Sequence, residues 1–254
     1  MEMTTVRWES YDGSVPAALN AIGAAEVLAR QTAVLIKPNL INASPHPVTT
    51  PADCCAAIIE YVRQHTDAAI VIGEGCGDPN RETPEIFKAL GYDDLARRYG
   101  VELVDLNTAP TVRLTHPEAT VFPECHLPEI ALSHYLISVP VLKAHSLAEI
   151  TGTLKNMIGL APPKHFGGRH GSWKKAVFHG RMQASIRDLN RYRTPDLSLM
   201  DATIGLADYH LGGRQCDPPV ERIIAGFDPV AVDREAARLL GLNWRGIPHL
   251  RNGE

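Results

Sequence analysis

Val34-Leu35-Ile36-Lys37-Pro38-Asn39 opens the stretch that decides the fold. Its apolar run reads as a short strand buried on both faces and ended by the proline. Thr50-Pro51-Ala52-Asp53 then starts a helix, with Thr50 as N-cap, Pro51 at the first helical position and an acid in the first turn. Ile58, Ile59 and Val62 carry its apolar stripe to about Gln64. Ala69-Ile70-Val71-Ile72 is the next all-apolar strand, and the glycines after it mark its end.

The alternation extends in both directions. Upstream, Ala17–Ala29 has apolar residues at helical spacing. Downstream, Pro84–Leu90 and Asp94–Tyr99 read as short helices around Gly91, Val101–Leu106 as a strand, and Tyr135–Val139 as another stopped by Pro140. Leu147–Ile158 reads as helix interrupted by Gly152, Pro162–Gly171 as loop, Met182–Arg191 as helix, and Leu197–Met200 and Arg222–Ala225 as strands. Asp228-Pro229 starts a last helix that runs to Gly241. Strands alternating with helices predict an α/β fold, a mostly parallel sheet covered by helices. The 254 residues suit a single α/β domain. A loose boundary near Pro140, where an acidic first half meets a basic middle, would divide it into lobes 1–140 and 141–254.

Composition narrows the functional classes. At 44% apolar and 21% charged residues, the chain does not read as disordered, collagenous or coiled-coil. Apolar runs such as Ala68–Gly73 and Tyr135–Val141 fall far short of the roughly 20 residues a membrane span needs. No basic-then-apolar leader opens Met1–Tyr11, so neither membrane insertion nor export is expected. The five cysteines (Cys54, Cys55, Cys76, Cys125, Cys216) include no CxxC pair. That argues against a disulfide framework, a zinc ribbon or an iron–sulfur cluster bound within the chain, and for the reducing cytoplasm. The net charge of −4 conceals an asymmetry: Lys143–Arg193 holds ten Lys/Arg and two acids, Glu149 and Asp188. That segment therefore carries +8 and the remainder −12.

In open α/β sheets ligands gather beyond the carboxyl ends of the strands. The residues predicted there are polar: Lys37 and Asn39, Glu74, Asp105, Lys143 and His145, and Asp201. The Gly73–Gly77 loop lacks GxGxxG spacing, carries an acid where a phosphate would approach, and is followed by Pro79. It reads as a tight turn presenting Glu74, not as a dinucleotide site. The densest segment is Val139–His145 together with Thr151–Gly159. Lys143 and Lys155 supply point charges for a phosphate or carboxylate, Thr151, Thr153 and Asn156 supply orienting hydrogen bonds, and His145 can shuttle a proton. Lys164, His165, Arg169 and His170 follow in a loop that Gly167-Gly168 would let close as a lid. His126, His134, His179 and His210 read as structural, Asp228 as a helix cap and Asp233 as a first-turn acid. Glu74, Asp105 and Asp201 are the oxygen ligands on offer to a divalent metal, but no metal motif is spaced along the chain, and the cofactor stays unassigned.

The stretches Leu35–Asn39, Thr49–Pro51, Ile70–Gly75, Ile137–His145, Thr151–Gly159, Met200–Ala202 and Ile224–Asp233 together resemble the family catalogued as domain of unknown function 362. They follow the family's order over about residues 33 to 241, and the KxH…TGxxKNxxG and AGxDPVAVD blocks are its specific parts. The resemblance implies that Lys37, Asn39, Glu74, Lys143, His145, Lys155, Asn156 and Asp228 are motif positions, without assigning their roles. Some members of that family resemble carriers of a ferredoxin-type iron–sulfur module; this sequence departs from them in having no CxxC run.

Lysines for an anion, an imidazole and a carboxylate at one sheet edge predict an enzyme acting on a small anionic metabolite, a carboxylate or phosphate. Its acid/base chemistry would be of isomerase or lyase type. Lys37, Asn39, Thr151, Lys155, Asn156, His165 and Arg169 would bind the substrate, and His145, Lys143 and Glu74 would carry the chemistry. No GxSxG or activated cysteine supports acyl transfer. The alternative is a carrier of an anionic cofactor or metal working with a redox partner. Nucleic-acid binding lacks interleaved aromatics in the basic segment beyond Phe166, Trp173, Phe178 and Tyr192, and a homo-oligomer stays open.

Overall fold

The structure, a computed structural model, describes residues 3–167 and 173–251. In chain order its strands are β1 (Met3–Arg7), β2 (Ala33–Pro38), β3 (Ala69–Glu74), β4 (Glu102–Asp105), β5 (Thr111–Thr115), β6 (Glu124–Pro128), β7 (Tyr135–Val139), β8 (Val141–His145), β9 (Glu149–Thr151), β10 (Leu197–Leu206) and β11 (Arg222–Gly226). The helices are α1 (Tyr11–Ala21), α2 (Ala24–Leu28), α3 (Ala52–His65), α4 (Thr83–Ala89), α5 (Tyr92–Tyr99), α6 (Glu129–Ser133), α7 (Thr153–Asn156), α8 (Pro163–Phe166), α9 (Met182–Tyr192) and α10 (Pro229–Leu239).

Among the described residues, nine strands form one sheet in the order β1-β11-β10-β7-β2-β3-β4, with β8 beside β10 and β9 beside β8. β10, β7, β2, β3 and β4 run parallel, and β8 joins β10 in parallel; β1, β11 and β9 pair antiparallel. β5 and β6 make a separate antiparallel pair. Val34–Ile36 of β2 and Ala69–Ile72 of β3 are apolar throughout because both faces are covered. Val34, Ile36, Ile70 and Ile72 pack against Val15 of α1, Ile58 of α3 and Leu95 of α5. On the other face, Leu35, Val71, Leu136 and Met200 pack against Leu154 of α7, Ile186 of α9 and Val232 of α10. The α/β fold with a mostly parallel, helix-covered sheet is therefore as predicted. Among the described residues no helix is long and apolar enough to cross a membrane.

From β2 the chain moves one way to β3 and β4, then returns to β7 on the opposite side of β2. The crevice beyond the carboxyl ends of β2 and β7 is thus a topological switch point, where such sheets bind ligands. Pro140 separates β7 from β8; the freed chain shifts sideways, so that β8 runs beside the later part of β10 and delivers Lys143 and His145 to this edge.

Several local expectations are corrected. The helix expected over Ala17–Ala29 begins at Tyr11, where the Ser10 side chain accepts the Gly13 N–H at 3.2 Å, and breaks at Gly23, whose φ is +74°. Thr50 does not cap α3: its hydroxyl donates to the Val139 carbonyl at 2.7 Å and accepts the Asn39 N–H at 2.9 Å, tying the loop after β2 to β7. Leu147–Ile158 is not a helix broken at Gly152. It is the strand β9 followed by the single turn α7, because Gly152 adopts an extended conformation with φ −125°. Within Pro162–Gly171, Pro163–Phe166 makes one helical turn, started by the proline at its first position. The strand expected over Leu197–Met200 continues to Leu206. Asp228 caps α10 as expected, accepting the Val230 and Ala231 N–H groups at 2.8 and 3.1 Å. Asp233 lies beyond the first turn of α10 and serves a different helix, described below.

Candidate active site

The site is built on a buried ion pair between the ends of β2 and β3. Lys37 Nζ donates to Glu74 Oε1 and Oε2 at 2.9 and 3.1 Å, to Asn156 Oδ1 at 3.1 Å and to the Pro38 carbonyl at 3.1 Å. Glu74 also accepts the Leu40 N–H at 3.0 Å and the Gly75 N–H at 2.7 Å. Asn156 Nδ2 completes the arrangement by donating to the Lys37 carbonyl and Ser138 Oγ, both at 3.1 Å. Burial pulls the Lys37 pKa down while Glu74 pulls it back up. Glycine is required beside the pair: a Cβ on Gly159 would collide with Glu74 Oε1 and Lys37 Nζ, and one on Gly75 with the Gly159 carbonyl.

Asn156 is held by an interaction distant in sequence. The Thr153 and Leu154 N–H groups at the start of α7 donate to Asp233 at 2.6 and 3.0 Å, so the AGxDPVAVD helix caps the TGxxKN turn. A Cβ at Gly152 would collide with the Asp233 carboxylate, which is why that turn begins with glycine. Burial pushes Asp233 up to about 7 even though its two N–H donors act in the other direction.

Above the pair lies a cavity of about 230 Å³ walled by a second set of cations. Lys143 Nζ donates to Asn39 Oδ1 at 2.6 Å and to the Val48 carbonyl; burial and then Lys155 hold its pKa well below the ordinary lysine value. Lys175 Nζ donates to the Ile158 and Gly159 carbonyls at 3.1 and 2.9 Å and is pushed down to about 7, mainly by burial. Lys155, on α7, is pushed down to about 8 by burial and by Lys37. Among the described residues Glu74 is the one carboxylate lining this cavity, and it is already committed to Lys37.

His145 stands at the end of β8. Its Nδ1 accepts the Leu147 and Ala148 N–H groups at 3.1 and 3.2 Å, so the ring hydrogen sits on Nε2. Burial first, then Lys155, His210, Lys143 and His179, push its pKa far below the ordinary histidine value. The neutral ring stacks on His210, centroids 3.8 Å apart, and His210 is itself pushed down to about 3 by burial and the neighbouring cations.

The fold thus gathers Asn39, Glu74, Lys143, His145, Thr151, Lys155 and Asn156 around one cavity, with Lys37 beneath it. His165 is elsewhere, stacked on His126 at 3.8 Å and absent from the cavity wall. Arg169, His170 and the Gly168 hinge lie outside the described residues. Thr153 is drawn away to Ser198, 2.8 Å between hydroxyls. The three carboxylates expected for a metal are not together. Asp105 accepts the Asn107 N–H at 2.9 Å, and Asp201 is buried against Tyr11 (2.7 Å), Thr203 (2.7 Å) and His46 (3.4 Å). Among the described residues no group of three or more His, Cys, Asp or Glu side chains is placed to hold a metal ion. Lys175, His179 and His210 also line the cavity: the two histidines, expected to be structural, have no signal beyond residue type, and Lys175 stands out only as part of the basic segment.

No curated protein matches the sequence. The family described as Domain of unknown function (DUF362) matches residues 34–238, a span that runs from β2 into α10 and contains the ion pair, the cavity lysines and the Asp233 cap. The chain belongs to the DUF362 family.

Proposed function

We propose that the cavity binds a small organic anion, a carboxylate or phosphate, and moves a proton on the carbon beside a carbonyl, as an isomerase or lyase does. The observation that carries this reading is a surplus of cations: Lys143, Lys155 and Lys175 line the cavity with no carboxylate ion pair among the described residues, while Glu74 already serves Lys37 and two backbone N–H groups. A ligand anion supplies the missing countercharge. At about 4 Å and an effective dielectric of about 20, one such contact is worth roughly 4 kcal/mol before desolvation.

Lys143 and Lys175 hold the anion, and Asn39, Thr151 and Asn156 orient it. His145 presents Nε2–H to the carbonyl oxygen on which negative charge develops, as a neutral donor. Its Nδ1 is occupied, so the proton passes instead to Lys155, whose pKa of about 8 leaves a neutral fraction near pH 7. The C–H bond breaks, its electron pair forms the enolate, and the ammonium of Lys155 returns the proton to the same or a neighbouring carbon. In a lyase the electron pair instead expels a leaving group. Lys37 and Glu74 act as positioning residues, fixing Asn156 and the Gly73–Gly77 turn.

Solvent-exchange NMR tests this directly. A panel of oxo- and hydroxycarboxylates and phosphorylated carbonyl compounds is incubated with the protein in D2O, and loss of carbon-bound protons is followed. Exchange into at least one compound is expected, with a fall of about 100-fold or more in Lys155→Met. Unchanged exchange in that variant contradicts the assignment, and tight anion binding without exchange would favour the carrier reading.

A further inference from the structure

Resting on that anion-binding reading, we propose that the ligand is an anion with an apolar body: a charged head for the lysines, and an alkyl or aryl portion of several carbons against the cavity mouth. Three large hydrophobic side chains are more than a third exposed among the described residues, Leu132, Leu147 and Tyr209. Two of them, Leu147 at 45% and Tyr209 at 46%, line this one cavity. Scattered exposed apolar residues are ordinary, but a cluster at the mouth of a built cavity marks a binding surface.

Lys143, Thr151, Asn156 and Glu74 are nearly inaccessible, whereas Leu147 and Tyr209 are open to solvent; buried Phe178 and half-buried Leu211 extend the apolar side inward. A volume of about 230 Å³ is several times what a single water needs. A bare carboxylate or phosphate head fills only part of that space, and the lining left over is largely apolar, with Ile41, Leu147, Phe178, Met182, Tyr209 and Leu211 among it. Leu147 also joins the two halves of the site, since its N–H is one of the two donors that fix His145 Nδ1. An apolar group resting on Leu147 therefore lies against the segment that sets the orientation of the imidazole.

Calorimetric titration of the full chain with two graded series tests this: inorganic, methyl, n-butyl and phenyl phosphate, and acetate, butyrate and phenylacetate. Within a series that binds, each buried methylene is expected to tighten Kd roughly fourfold, so that butyl exceeds methyl phosphate by roughly 50-fold before a plateau. Leu147→Ser and Tyr209→Ser are each expected to lower that butyl-to-methyl ratio severalfold. A wild-type ratio near one, with the bare anions still binding, overturns the apolar body and leaves the anion site standing. A full ratio retained in both variants overturns it as well, because the apolar portion then lies elsewhere. Failure of every anion in both series instead removes the underlying reading and this inference with it.

Discussion

Glu74→Gln isolates the ion pair beneath the cavity. Glu74 accepts four hydrogen bonds, two from Lys37 Nζ at 2.9 and 3.1 Å and two from backbone N–H groups at 3.0 and 2.7 Å, and Lys37 is fully buried. Glutamine keeps one acceptor oxygen and turns an NH2 toward a group that can only donate. Lys37 is left with the neutral Pro38 carbonyl and the Asn156 amide. Removing one partner of a buried pair costs about 3–5 kcal/mol, because the other charge stays uncompensated. At roughly 2–4 °C per kcal/mol for a domain of this size, Tm falls by about 6–20 °C. Burial already lowers the Lys37 pKa, so the stranded ammonium gives up its proton as pH rises and the deficit shrinks. Calorimetric melting and urea denaturation at about pH 6.5 and about pH 9 read both effects. The double variant Lys37→Met/Glu74→Gln, with both charges gone, loses less than Glu74→Gln alone. A Glu74→Gln protein melting within about 1 °C of the parent would refute the assignment of Glu74 as the counterion of a buried ammonium.

Three other outcomes are expected. His145→Ala abolishes turnover of whatever compound exchanges, with an unchanged circular dichroism spectrum; full activity in that variant would sink the role given to Nε2–H. Acidification destabilises the protein, because His145, His210 (about 3) and His249 (about 4) are held neutral by burial and nearby cations. Their folded pKa values lie below the unfolded value of about 6.5, so the stability they contribute is complete above about pH 6.5 and is lost as pH falls toward about 4. Asp233, raised to about 7, acts in the opposite sense over about pH 4 to 7, one group against three. Urea midpoints that stay flat from pH 7 to pH 4 contradict this balance. Gly159→Ala places a methyl against Glu74 Oε1 and Lys37 Nζ and costs about 1–3 kcal/mol in urea denaturation; a neutral effect means the two turns are not in contact.

The strands that position the site were legible because β2, β3 and β7 are buried on both faces, which leaves an apolar run in each, broken in β7 at Ser138. Lys37, Glu74 and Lys143 could be placed at one edge because strand ends are readable once strands are. What resisted reading depends on contacts distant in sequence. Gly152 is extended and α7 a single turn because Asp233, 80 residues beyond Thr153, caps it. Thr50 has the chemistry of an N-cap, yet its hydroxyl is taken by the Val139 carbonyl, 89 residues away. His210 reaches the cavity from the segment after β10 and stacks on His145, which no spacing along the chain announces. The hydrogen position on His145 is set by two N–H groups of the turn after β8, so the residue type was readable and its protonation was not.

The central claim, that a cavity with surplus cations takes an anion, is tested most directly by anion titration in two buffers of different ionisation enthalpy at about pH 7.5. There Lys175 (about 7) is mostly neutral, and a bound anion favours its charged form. Saturable binding of a carboxylate or phosphate with uptake approaching one proton is expected, and a smaller uptake in Lys175→Met. Binding with proton release, or no saturable binding of either anion class, would contradict it.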